Sequence, residues 1–247
     1  MFENDAPLFG VRDVHKSYDN RPVLKGLDLD LFSADFTLLL GANGSGKSTF
    51  LRLCAGLVRP EGGSCFCAEA DIASGPLWRP PPSALCAHAG HHLHLYSLLS
   101  VEENLSITRA LLCPAVSVRD YLKLWQLEDA ASRLVGQLSR GQQYRVSIAR
   151  ALMHAPKLIL LDEPTSSLDD PSLGLLLRFL EQLRENTGSS ILIATHDLGR
   201  LAPFASRILV LEDGRIMKDS RALQKGEQLS PAFSRQKCLE YYRERNR

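Results

Sequence analysis

Eight consecutive residues, Gly41-Ala42-Asn43-Gly44-Ser45-Gly46-Lys47-Ser48, carry the spacing G-x-x-x-x-G-K-[ST]. Glycines so placed let backbone amides converge on phosphate oxygens, and a helix that starts there adds the positive end of its dipole. Lys47 would then reach the β- and γ-phosphates of a nucleotide such as ATP, and Ser48 would offer its hydroxyl to Mg²⁺, with Thr49 beside it. The surroundings are those such a loop requires. The apolar run 36–40 reads as a strand, and Phe50, Leu53, Cys54 and Leu57 share one face of a following helix. A chance Gly/Ser loop would not meet all three conditions together.

A second group of chemically active residues closes the run Leu158-Ile159-Leu160-Leu161-Asp162-Glu163, read as a buried strand ending in two acids. An open α/β sheet presents its reactive groups at such strand ends. Asp162 is the expected Mg²⁺ ligand, directly or through water. Glu163 is the expected general base that orients and polarises an attacking water. The plain alternative is a solvated acidic turn before Pro164; the phosphate loop upstream, in the right chain order, argues against it.

Leu138-Ser139-Arg140-Gly141-Gln142 resembles the LSGGQ signature of ATP-binding-cassette (ABC) proteins, with Arg140 in place of the first glycine. Ser139 and Gln142 also have the spacing of a helix capping box, for a helix running to about His154. The resemblance continues in order along the chain, from Val11 to Met217. Ser167-Leu168-Asp169 is similar to the D-loop, His196 to the switch histidine at the γ-phosphate, and Tyr18 to the aromatic that stacks on adenine. It implies that Ser139, Gly141 and Gln142 serve a nucleotide held by a second cassette. The implied partners are therefore a second cassette, in a homodimer or pseudo-symmetric dimer, and integral membrane transporter subunits.

One departure stands out. The family usually carries a glutamine after the strand read here as 84–89, reaching metal and attacking water; this chain has Gly90-His91-His92-Leu93-His94, and His92 is the match for it, counted among the catalytic residues. Four histidines, His88, His91, His92 and His94, also raise a transition-metal or haem-linked site, although their spacing fits no specific ligand set. Within the family, the runs 51–60, 90–92 and 137–146 are similar to the ATPase of the haem exporter used in cytochrome c maturation.

The elements that must position these residues follow from periodicity. Leu27, Leu29 and Leu31 alternate with Asp28 and Asp30, a strand with one wet face, which places an antiparallel sheet near the start. The apolar runs 36–40, 158–161 and 191–194 read as central parallel strands covered on both faces. Asp213-Gly214 joins 207–212 to 215–218 as a tight hairpin. The stretch 101–154 reads as helical, interrupted by Pro114 and ended by Pro156. A further helix opens at Asp170-Pro171, stops near Gly188 and carries a stripe of Leu173, Leu176, Leu177, Leu180 and Leu183 that reads as core. The prolines of 75–82 make that segment a surface loop, and Cys65-x-Cys67 puts two thiols on one strand face.

The expected fold is α/β: a P-loop NTPase core with an antiparallel β subdomain and an inserted α-helical signature subdomain. One nucleotide-binding domain spans 8–220, with the helical insertion at about 95–155, and a charged tail over 221–247 reads as helical. No internal repeat is present, so one cassette per chain is expected.

Composition narrows the function. In 247 residues, 29 Lys plus Arg face 28 Asp plus Glu, leaving a formal charge of +1 and no field to gather nucleic acid. Six scattered cysteines suit reduced thiols. The amino terminus lacks a basic region followed by an apolar run, so the mature start is expected near Met1, and no apolar run of about 18 residues could span a membrane. The expected location is peripheral, at the cytoplasmic face of the cell (inner) membrane. Soluble cassette ATPases of translation carry two cassettes per chain, and those of chromosomes separate loop and signature by a long coiled coil; this chain shows neither. A regulatory module that binds ATP without hydrolysis would lack the base or the switch histidine, and Glu163 and His196 are both present.

Overall fold

The computed structural model describes residues 6–67, 84–90, 92–222 and 231–245, leaving the loop expected at 75–82 and His91 outside the described residues. Six strands form the central sheet in the order β5-β6-β7-β3-β8-β9. Five of them, β5 (Cys86–Ala89), β6 (Leu158–Asp162), β7 (Ser190–Ala194), β3 (Phe36–Leu40) and β8 (Arg207–Glu212), run parallel, and β9 (Arg215–Asp219) returns antiparallel to β8. Every residue of β3, β6 and β7 is buried, as continuous apolar runs covered on both faces should be. The hairpin residues Asp213 and Gly214 both take positive φ, 45° and 75°.

A second sheet, β2-β1-β4, is antiparallel: β1 (Phe9–Tyr18) pairs with both β2 (Arg21–Leu31) and β4 (Gly62–Cys67). The alternating leucines of β2 point inward, as do Cys65 and Cys67 of β4. These residues share one apolar cluster with Phe50, Leu51 and Leu53 of α1 (Lys47–Cys54), so α1 lies between the two sheets.

The opposite face of the central sheet carries the larger cluster. Between β5 and β6 the chain inserts α2 (Val101–Leu112), α3 (Val118–Leu124) and α4 (Arg140–Leu152), with two short 3₁₀ turns between α3 and α4. Ser100 and Glu103 close a capping box at the start of α2. Buried Asn104 accepts from the amide of Tyr96 at 2.9 Å and donates to the carbonyls of Tyr96 and Ser100, fixing the turn that leads into α2. After β6 come α5 (Pro164–Ser167) and α6 (Asp170–Thr187). Asp169 caps α6, accepting from Ser172 at 3.0 Å, and Gly188 ends it at φ 70°. All five leucines of the stripe are buried. Leu180→Ala is expected to lower stability by roughly 2–5 kcal/mol, read as an earlier urea midpoint at unchanged slope.

The C-terminal helix Pro231–Arg245 lies against β8, with Cys238 fully buried and Tyr242 nearly so, both within the larger cluster. The Tyr241 hydroxyl and the Arg245 guanidinium both donate to Glu212, at 3.3 and 3.2 Å. None of the six cysteines forms a disulfide.

Candidate functional site

β3 delivers the phosphate loop at its carboxyl end, and crowding dictates the first residue there. A Cβ at Gly41 would stand 2.4 Å from the carbonyl oxygen of Leu211 and 2.5 Å from Ser45 Oγ. Ala42, Asn43 and Gly44 are exposed, whereas Ser45, Gly46 and Lys47 are buried. Lys47 Nζ donates to the carbonyls of Gly41 at 2.7 Å and Ala42 at 3.1 Å. Burial pulls its pKa down, and the nearby carboxylates of Glu163 and Asp162 act against that. The loop opens onto a cavity of about 340 Å³, lined also by Val23 of β2, Ser48, Thr49, Asp162 and Glu163.

The two acids have different surroundings. Asp162 ends β6 and is 4% exposed; its Oδ1 is enclosed with no hydrogen-bond partner. Its carbonyl accepts a hydrogen bond from the hydroxyl of Tyr144 at 3.3 Å, tying α4 to the end of the strand. Burial, with help from the carboxylates of Asp162 and Glu163, pushes the Tyr144 phenol up, so it stays a donor.

Glu163 sits in the left-handed region at φ 51°, ψ 51°, a position that costs a side-chain-bearing residue about 1–3 kcal/mol. What holds it there is its amide, which donates to Ala194 O at 2.9 Å, and its carboxylate, which accepts from His196 Nδ1 at 2.9 Å and from the His196 amide at 3.4 Å. With Nδ1 committed to Glu163, Nε2 lies on the opposite edge of the ring, in a side chain that is 60% exposed. Arg200 braces the same region, donating to Asp197, Asp170 and the carbonyl of Thr165 at 2.8, 2.9 and 3.0 Å.

The Asp162 carboxylate and the Ser48 hydroxyl both line this cavity and form an all-oxygen donor set, which fits a hard divalent cation such as Mg²⁺.

Other expected residues lie apart from this cavity. Tyr18 ends β1 and is 40% exposed, with Lys16 Nζ 5.3 Å from its ring centroid. Ser139 caps α4 in a reciprocal box with Gln142, at 3.3 and 3.1 Å, and a Cβ on Gly141 would come 3.3 Å from the carbonyl of Ser167. Neither Ser139, Gly141 nor Gln142 lines the nucleotide cavity. His92 lines a different groove, of about 490 Å³, with His94, Leu95, Arg140 and Gln143, its ring centroid 6.4 Å from that of His94.

Sequence reasoning missed Tyr144 and Arg200. Tyr144 sits on the buried face of α4, a signal readable from helical spacing. Arg200 offers only its i, i+3 spacing to Asp197, since its other two partners, Asp170 and Thr165, are 30 and 35 residues away in the chain.

A family model described as "ABC transporter" matches residues 24–166. The spermidine/putrescine import ATP-binding protein PotA of Legionella pneumophila (strain Philadelphia 1) is 38% identical over 219 residues, covering 85% of this chain and 58% of its own length. The macrolide export ATP-binding/permease protein MacB of Escherichia coli (strain K12) is 34% identical over 242 residues, 89% of this chain and 35% of that one. The chain thus spans less than two thirds of these curated relatives. Among solved structures, a dimeric post-hydrolysis state of the ATP-binding cassette MJ0796 with ADP and Pi is 29% identical, with a TM-score of 0.74 over 85% of this chain and 97% of that one.

Proposed function

Since the chain belongs to the ABC transporter family, we propose that it is the ATP-binding and ATP-hydrolysing cassette of a transporter, acting head-to-tail with a second cassette on separate membrane subunits. The observation that carries this reading is the convergence of Lys47, Ser48, Asp162 and Glu163 on one cavity, with Glu163 aimed by His196.

In this reading Lys47 exchanges its two loop carbonyls for phosphate oxygens of ATP, aided by the amides of the loop and the start of α1. Ser48 and Asp162 would hold Mg²⁺, which supplies charge neutralisation at the β- and γ-phosphate oxygens. Glu163 accepts a proton from the attacking water and orients it in line with the γ-phosphorus. His196 fixes the rotamer of that carboxylate, and its exposed edge faces outward for the γ-phosphate. Tyr18 offers its exposed ring to adenine.

The signature serves another copy's nucleotide, because it caps a helix on a surface away from its own cavity. Two copies related by a two-fold axis then complete two sites. Among the described residues no helix is long and apolar enough to cross a membrane. We place the chain at the cytoplasmic face, docked on membrane subunits through the surface near residues 92–103, where Tyr96 and Leu98 are 56% and 84% exposed. The finer expectation of haem export finds no support in the relatives, whose names specify polyamine import and macrolide export.

The dimer is tested by light scattering in saturating ATP with EDTA, which blocks turnover. The mass is expected to double, and Ser139→Arg to keep nucleotide binding while staying at the monomer mass. A wild-type chain that remains monomeric at saturating ATP would sink the head-to-tail reading.

A further inference from the structure

His88 lies on β5 beside β6, opposite Leu160, with both ring nitrogens enclosed and neither hydrogen-bonded. Strand alternation fixes its direction. Ala87 and Ala89 enter the cluster on the helical face, so His88 points to the other side, toward α1. On β6, Leu158 and Leu160 belong to that same α1 side, and Asp162, two residues on, shares it.

Gly90 marks where the two side chains approach. A Cβ there would stand 3.1 Å from Asp162 Cβ, 3.5 Å from His88 Cε1 and 3.7 Å from His88 Nε2. Any larger residue would wedge the ring and the carboxylate apart. Across this gap the unpartnered atoms are complementary, for Asp162 Oδ1 is the enclosed carboxylate oxygen without a donor. An imidazole carries at least one N–H in either tautomer, so the ring has a donor to give.

We propose that His88 is a positioning residue for the metal-binding aspartate: its N–H is directed at Asp162 Oδ1, directly or across one water, and sets the other carboxylate oxygen toward the cation in the nucleotide cavity. The proposal rests on the reading of Asp162 given above. Carboxylates that ligate metals are held by hydrogen bonds from residues behind them, and losing such a partner typically costs 10–100-fold in metal affinity. An enclosed polar ring is otherwise a liability, because its nitrogens give up water without return.

The test uses Glu163→Gln as background, so that ATP persists, and Mn²⁺ as the probe, its affinity measured by electron paramagnetic resonance at saturating ATP. In that background His88→Met, similar in reach but without a donor, is expected to bind Mn²⁺ about 10–100-fold more weakly. His88→Gln, which keeps a donor, is expected to stay within about threefold, well inside that range. Metal-free ATP affinity should be the same in all three proteins, since the phosphate loop and Lys47 are untouched. Mn²⁺ bound by His88→Met at parental affinity overturns the proposal. So does a His88→Gln protein weakened about tenfold or more relative to the parent, a result that remains readable should His88→Met fail to fold. Failure of the parent itself to bind Mn²⁺ with ATP would instead overturn the assignment of Asp162.

Discussion

Glu163→Gln is expected to bind ATP as the wild type does, to hydrolyse it about 10²–10⁴-fold more slowly, and to accumulate as a dimer when Mg-ATP is present. The amide is isosteric, so the left-handed backbone position and the contact from His196 Nδ1 are both kept, now to a carbonyl oxygen rather than a carboxylate. What is lost is the basicity that takes the proton from water. Binding is expected to survive because the loop, Lys47 and Ser48 are untouched. Steady-state phosphate release, nucleotide titration and light scattering on the same sample separate the three effects. Hydrolysis at the wild-type rate would place the base on another residue.

Lys47→Met is expected to weaken ATP by at least about 30-fold, the lower end of what losing one partner of a buried, hydrogen-bonded charge pair costs. The unliganded geometry explains the size. Lys47 is held along the loop by the carbonyls of Gly41 and Ala42, so its ammonium already lies among the groups proposed to surround the phosphates. Methionine keeps the length of the stem while removing charge and donors, leaving two loop carbonyls without their lysine partner. A loss of about 1–3 kcal/mol in the stability of the unliganded protein should accompany the binding defect. Isothermal titration and urea unfolding measure the two, and ATP binding within threefold of wild type would contradict the role given to Lys47.

How legible the site was depends on how local each part is. The phosphate loop lies within one strand, loop and helix contiguous in the chain, so spacing alone places Gly41 to Thr49. Asp162 and Glu163 were readable because a buried strand must end somewhere and these two acids end it. That Glu163 adopts φ 51° and is met by His196 was not readable from spacing, because the contact joins the ends of two neighbouring strands and depends on sheet order.

The histidines show the opposite case. In sequence His88, His92 and His94 read as one cluster, yet the end of β5 divides them. His88 turns toward α1 and Asp162, while His92 and His94 line the groove beside Arg140. Strand alternation could have separated His88 only with the end of β5 known, and that end is set by pairing with β6. The C-terminal helix is similar: its sequence suggests a helix, but the burial of Cys238 arises only from packing against β8.

That packing also governs how the molecule meets electrophiles. Burial pushes the thiols of Cys86 and Cys238 up to about 12 and Cys65 up to about 11, and raises Cys54 and Cys113 as well. Maleimides and iodoacetamides react with thiolates, so the buried Cys54, Cys65 and Cys238 are expected to stay largely silent near neutral pH. A single cysteine introduced on an exposed position such as Leu98 can therefore carry a fluorophore or spin label with these buried cysteines left in place, and would report on the proposed docking surface and dimer.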